Sequence, residues 1–269
     1  MSYSDIAAQN AYQFTAKLAF PRLVGTEGEA RAQALIESEL ETIGNYYFSE
    51  SLKASAFPIG FIFRITMPLG AIILLITWLY SDPLVGLNNP WFSLIFGLGG
   101  TLLLLFSSTI VNRSFGVVPP FGRIYETKNY IAEITPPNPQ AHLIYMAHYD
   151  SKSQFFPVLV RIILFLGGLI SGLLYGMRVI IGSIIRLSGT LPSRFWMPDW
   201  SSFLIVFLFN FPLIFNFIGN KSPGAIDNAT SVATVLELSK IFKNDPPKHL
   251  KLTFLITAAE ELGLYGAAD

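Results

Sequence analysis

Four long apolar blocks, residues 57–80, 91–111, 155–185 and 201–219, set the terms for any fold of this chain. Crossing a bilayer takes about 20 apolar helical residues, and each block has that length or nearly so. Arg64 is the only charge in the first block; Arg161 and Arg178 interrupt the third. With 52% hydrophobic residues, 13% charged residues and a mean hydropathy of +0.49, the chain is too apolar for an ordinary soluble domain. A buried-core reading would have to hide all four blocks within 269 residues, and their lengths argue against it.

The blocks come in pairs. A loop with Pro83, Asn88, Asn89 and Pro90 joins the first two, and a polar loop with Arg186, Arg194 and Asp199 joins the last two. Each pair reads as a transmembrane hairpin that returns the chain to the side it left. The remaining stretches are soluble in character and can join into one α/β domain. The expected organisation is a discontinuous α/β domain drawn from 1–56, 112–154 and 220–269, with one hairpin at 57–111 and a second at 155–219. Arg64 is placed to snorkel and Pro68 to kink its helix. Gly168, Gly172 and Gly176 recur every four residues. That spacing lets helices approach closely, although glycine is common in membrane helices in any case.

In the soluble stretches, residues 5–44 read as helical. Thr26 and Glu29 form a capping-box pattern, Ala32, Leu35, Ile36 and Ile43 form an apolar stripe, and Gly44 suits the stop. Strand character marks 128–135, 142–147 and 250–257, and a helix is expected from Asn228 to Phe242. The net charge of zero gives no reason to expect nucleic acid as a partner. The chain has no cysteine, so disulfides and thiolate metal sites are excluded. Met1 to Lys17 lacks the zones of a secretory signal.

Three polar islands stand in apolar surroundings: Ala147-His148-Tyr149-Asp150-Ser151, Ser222 to Ala229, and Glu260-Glu261 after the apolar run 252–259. His148 ends a strand, and imidazole is a good zinc ligand when a second group orients its ring; Asp150 could be that group. Asp227 follows a Pro-Gly turn and precedes a helix, where capping is by itself the better reading. The tandem carboxylates Glu260-Glu261 repel each other unless a cation is present. One could bind metal while the other takes a proton from water, or the pair could sit at a helix entry and answer its dipole. His142 and His249, beside turn-like sequence, are assigned no role.

Together, AHYDS at 147–151, GAIDNATSVA at 224–233 and AAEELGLYGA at 258–267 resemble the di-zinc aminopeptidase family, which includes leucyl aminopeptidases, aminopeptidase Y and the glutamate carboxypeptidase group. PRLVGTEGEARAQ at 21–33 is also typical. The resemblance covers the soluble stretches and not the apolar blocks. It implies a zinc-exopeptidase-like mixed sheet flanked by helices, an α/β fold into which the two hairpins are inserted. It implies two zinc ions, with His148 binding one, Asp227 bridging both and Glu261 binding the other. Asp150 would orient His148, and Glu260 would be the general base. The implied reaction is attack of zinc-activated water on a peptide carbonyl, with removal of an N-terminal residue.

The family pattern also asks for a further acidic ligand and a distal histidine after the Glu-Glu pair. The chain ends at Asp269 without them, so a fragment or inactive form is expected. The second hairpin falls between His148 and Asp227 in sequence, which suggests a site held close to the bilayer. The expected partners are a peptide substrate and the lipid bilayer. Basic residues near the spans on the domain side (Lys53, Arg64, Arg113, Lys152, Arg161, Lys221) place that domain in the cytoplasm by the positive-inside rule. Two competing expectations are a catalytically inactive peptidase-like membrane scaffold, and a transporter or channel with a soluble insert. Against the latter, the intramembrane ionisable residues are few and lie toward span ends.

Overall fold

The computed structural model describes residues 3–44, 47–81, 89–120, 122–189 and 200–268. Pro83, Asn88, Arg194, Asp199 and Asp269, invoked above, lie outside the described residues. The chain divides into two units. One comprises Met1–Ala56, Ser114–Ser153 and Ile218–Asp269; the other comprises Phe57–Arg113 and Gln154–Phe217.

The first unit is built on a mixed sheet. Its strands are β1 (Tyr47–Ser55), β2 (Ile124–Ile134), β3 (Ala141–His148) and, later in the chain, β6 (Leu250–Thr257). Two-residue strands β4 (Ser153–Gln154) and β5 (Ile218–Gly219) lie between β3 and β6 in sequence. The sheet order is β1-β2-β6-β3. β1 runs antiparallel to β2, and β2 antiparallel to β6, whereas β3 and β6 are parallel and end together, His148 opposite Thr257. Helices α1 (Tyr3–Leu18), α2 (Glu27–Ile43) and α7 (Thr230–Asn244) pack with the sheet into one core that includes Leu18, Ile36, Val232, Leu236, Leu252, Phe254 and Ile256. Tyr145 stacks on Phe254 with ring centroids 5.6 Å apart, joining the edge strand to its neighbour.

The single helical stretch expected over 5–44 is two helices, broken between Leu18 and Glu27 by a segment containing Pro21. Thr26 caps α2 by accepting from the Glu29 backbone N–H at 3.4 Å. The return arm of the expected capping box goes elsewhere: the Glu29 carboxylate accepts from Gly25 N–H at 2.5 Å and from the Thr127 hydroxyl. Gly44 ends α2 in the left-handed region at φ 68°. The helix expected from Asn228 begins two residues later at Thr230, after a turn over Ala225–Ala229 in which Asp227 and Asn228 depart from helical dihedrals.

The second unit is helical. A π-helical turn (Pro58–Ile62) leads into α3 (Phe63–Ser81), followed by α4 (Pro90–Arg113), α5 (Val158–Ser188) and α6 (Trp200–Asn210), which continues as a 3-10 turn over Phe211–Phe215. Met67, Leu74, Leu104, Tyr175, Val179, Val206 and Leu213 form its core. The glycine spacing corresponds to close approach. A Cβ on Gly172 would overlap Leu104, one on Gly176 would overlap Thr101, and one on Gly168 would meet Asn210. Arg64 is tied down: it donates from Nε to the Ile214 carbonyl at 2.7 Å and lies 3.8 Å over the Phe217 ring.

Among the described residues, three helices are long and apolar enough to cross a membrane: Pro58–Trp78, Pro90–Ser107 and Val158–Ser188. The fourth expected span, 201–219, is shorter. Its apolar helix covers Ser201–Phe215, and β5 begins at Ile218. The surface of the helical unit is apolar too. Ile162, Leu166, Ile170, Leu174, Ile181 and Ile184 of α5 are exposed, as are Ile95, Leu98, Leu102 and Leu105 of α4. A buried core would cover these side chains, and a water-facing helix would carry polar ones there. The uncharged run 162–177 between Arg161 and Arg178 is about 24 Å long at the α-helical rise.

Candidate active site

The site is assembled where β3 and β6 end, at the carboxyl edge of their parallel pair, a common place for ligand crevices in α/β sheets. Pairing continues past the strands, with Tyr149 N–H donating to the Thr257 carbonyl at 2.9 Å. The chain segments after His148 and after Thr257 therefore leave the sheet side by side. Asn129 of β2 holds the second of them: its side chain accepts from Ala258 N–H at 2.9 Å and donates to the Gly266 carbonyl at 2.9 Å. Ala259 adopts φ 55°, a left-handed conformation rare for a residue with a Cβ, and the turn there brings Glu260 and Glu261 back toward Asp150.

Asp150 is fully buried. Its two carboxylate oxygens accept from Glu260 N–H at 3.1 Å and Glu261 N–H at 3.0 Å. The carboxylate expected to orient the imidazole thus grips the Glu-Glu turn, and its Oδ1 stands 3.6 Å from His148 Nδ1. The closer partner of Nδ1 is the Asp150 backbone carbonyl at 3.2 Å. A carbonyl only accepts, so this contact places a proton on Nδ1. In the neutral ring that leaves the Nε2 lone pair available on the other side.

His148 Nε2 faces Asp227 Oδ1 at 3.2 Å and Glu260 Oε2 at 3.6 Å. Asp227 does not cap the following helix. Ala229, which precedes α7, makes no side-chain cap, and the Asp227 side chain is 77% exposed beside the imidazole. Nor do the two glutamates enter a helix directly: they lie in a turn ahead of the short helix α8 (Tyr265–Ala268). Glu261 points to Lys152, whose Nζ is 2.8 Å from Oε2 and also donates to the Glu261 carbonyl. His142 is outside this group and pairs with the Thr253 hydroxyl at 2.9 Å.

Arg22 ties the islands together, and nothing in its local sequence announces this. Its side chain is fully buried. Nε donates to the Tyr149 carbonyl, Nη1 to Leu18 at 3.0 Å, Phe20 at 3.0 Å and Pro223 at 2.5 Å, and Nη2 to Gly224 at 2.7 Å. One guanidinium therefore joins the N-terminal segment, the His148 loop and the turn leading to Asp227.

Lys152 and Arg22 offset part of the negative charge of Asp150, Asp227, Glu260 and Glu261. Burial works against the charged imidazolium of His148. The hydrogen bond and charge of Asp150, joined by Glu260 and Asp227, outweigh it and push the pKa up to about 9. Burial raises the Glu260 carboxyl, helped by Glu261 and Asp150 and opposed by His148 and Lys152. A raised carboxyl pKa suits a group that must take up and release a proton.

The donors fit zinc in type, a neutral imidazole with carboxylates. They also fit in one spacing. Two ligands about 2.0–2.1 Å from a tetrahedral zinc stand roughly 3.3 Å apart, close to the 3.2 Å between His148 Nε2 and Asp227 Oδ1. A third donor is not in place. Among the described residues no group of three or more His, Cys, Asp or Glu side chains is placed to hold a metal ion, and Glu261 is paired with Lys152.

Residues 210–269, which contain Asp227, Glu260 and Glu261, match the family model described as Peptidase family M28. Over this segment, less than half of the chain, the sequence is similar to peptidase family M28. The match agrees with the di-zinc aminopeptidase resemblance read from the three islands; His148 and Asp150 precede the matched M28 segment. No curated protein matches the chain. Similar solved structures include glutaminyl cyclase of Fimbriiglobus ruber, at 13% identity and TM-score 0.40, covering 93% of this chain and 44% of that one. A Zn-dependent exopeptidase from Parabacteroides distasonis matches at 14% identity and TM-score 0.43, covering 95% and 48%. BSAP, a zinc aminopeptidase from Bacillus subtilis, matches at 12% identity and TM-score 0.42, covering 97% and 63%. The chain spans less than two thirds of the length of each.

Proposed function

We propose that the protein is a membrane-anchored, zinc-dependent exopeptidase that removes N-terminal residues from peptides, with its peptidase unit in the cytoplasm. The observation that carries this reading is the convergence of Asp227 and Glu260 on His148 Nε2 at the carboxyl edge of the parallel strand pair. His148, Asp227 and Glu261 would be the residues that hold zinc. Bound zinc would supply Lewis-acid chemistry, polarising the peptide carbonyl and making water acidic. Asp150 fixes the Glu-Glu turn through two backbone N–H bonds, so the base and the third ligand keep their relative positions. The Glu260 carboxylate takes the proton from the attacking water and delivers it to the departing amine. Three long apolar helices support membrane anchoring by length and composition. The chain order, with 155–219 between His148 and Asp227, favours apolar or membrane-derived peptides as substrates.

The test is release of N-terminal residues from short peptides by the purified full-length protein. Activity is expected to disappear on chelation and to return with zinc. Hydrolysis unaffected by chelation would contradict the reading. A second reading, a catalytically silent peptidase-like scaffold in the membrane, is favoured by the Lys152–Glu261 ion pair, which occupies one of the three ligands. Full-length protein without hydrolysis at any zinc concentration would favour it.

A further inference from the structure

Lys152 lies two residues beyond Asp150, just past the island that holds His148. It is mostly buried, with 17% of its side chain exposed, and its Glu261 partner is 16% exposed. Nζ meets Glu261 twice, at the carboxylate and at the backbone carbonyl. The acidic cluster thus already contains a cation at the carboxylate that would serve as a zinc ligand. An ammonium and a divalent ion cannot share that carboxylate without repulsion, and a partly buried site screens it only weakly. The lysine is suited to giving way. Its charge is compact and sits on a flexible four-carbon stem, so the head can leave while the backbone stays.

We infer that Lys152 is the resident counter-cation of Glu261 in the metal-free protein and competes with zinc for that carboxylate. The inference rests on the proposed role of Glu261 as a ligand. Lys152 is a positioning residue in this scheme: it holds the Glu261 side chain when zinc is absent, and zinc loading displaces its head group. The lysine therefore sets how much free zinc the protein needs before it is loaded.

The test is zinc affinity by competition with a fluorescent chelator, together with thermal unfolding with and without zinc, for the full-length protein and Lys152→Met. The variant is expected to bind zinc about tenfold more tightly, within the range over which groups adjoining metal ligands alter affinity. It should also unfold at a lower temperature without zinc and gain more from added zinc than the wild type. Lys152→Gln, which keeps a donor for the Glu261 carbonyl but carries no charge, should tighten zinc binding similarly; it serves if methionine is not tolerated. Wild type that binds zinc while the neutral variants bind it equally or more weakly overturns the role of Lys152 alone. Absence of zinc binding in all three proteins overturns the zinc assignment itself, and this inference with it.

Discussion

Glu260→Gln is expected to leave the protein folded and zinc-loaded while slowing peptide hydrolysis by about 10²- to 10⁴-fold, the usual contribution of a positioned general base. The amide keeps the size of the side chain and removes only its ability to take a proton. Glu260 N–H still donates to Asp150, because that bond belongs to the backbone. Glu260 lies farther from His148 Nε2 than Asp227 does, 3.6 Å against 3.2 Å, consistent with a base beside the ligands. The loss should fall on kcat, with zinc content per protein unchanged. Retained activity would remove Glu260 from the base role, and loss of zinc would make it a ligand.

Arg22→Leu is expected to destabilise the sheet-containing unit by about 3–5 kcal/mol, as when a buried charge network loses one partner. The guanidinium donates to carbonyls of Leu18, Phe20, Tyr149, Pro223 and Gly224. Leucine removes the side-chain donor from all five; Leu18 and Gly224 keep backbone donors from Phe20 and Ala229, so the loss weighs most on the buried Tyr149 carbonyl. Burial lowers the Arg22 pKa to about 10, against the opposing pull of Asp150, Asp227 and Glu261. The group thus remains charged at neutral pH and offsets those carboxylates. Lysine cannot replace it, since a single ammonium lacks the planar fork that reaches several segments at once. Chemical or thermal unfolding in detergent measures the effect. A change below about 1 kcal/mol would mean that the carbonyls find other donors.

The parts of the structure that are legible in the sequence are those with local signals. The run 250–257 is apolar and bounded by turn residues, and β6 occupies those residues. Gly44 marks the end of α2 because a left-handed C-cap favours glycine. The three islands are visible because polar residues stand against apolar sequence. The features that escape sequence reasoning depend on distant partners. β1 has little apolar pattern of its own, its first residues being exposed or half-buried, and it forms through register with β2. Arg22 draws its role from carbonyls that folding brings from 149 and 223–224. Lys152 reads in sequence as a charge near a membrane span, because its position beside Glu261 exists only once the two parallel strands align. Asp227 reads as a helix cap for the same reason: the imidazole it faces comes from a strand far away in sequence.

The central claim is that His148 and Asp227 hold zinc, and zinc titration of the purified full-length protein between about pH 6 and pH 9 tests it most directly. Zinc needs the neutral imidazole, whereas the metal-free site keeps His148 protonated up to about pH 9. Binding must therefore expel a proton, and apparent affinity is expected to climb about tenfold per pH unit across this range before levelling near pH 9. A His148→Ala, Asp227→Asn double variant is expected to lose binding at every pH. Wild-type protein that takes up no zinc, or a double variant that binds it as the wild type does, would contradict the account.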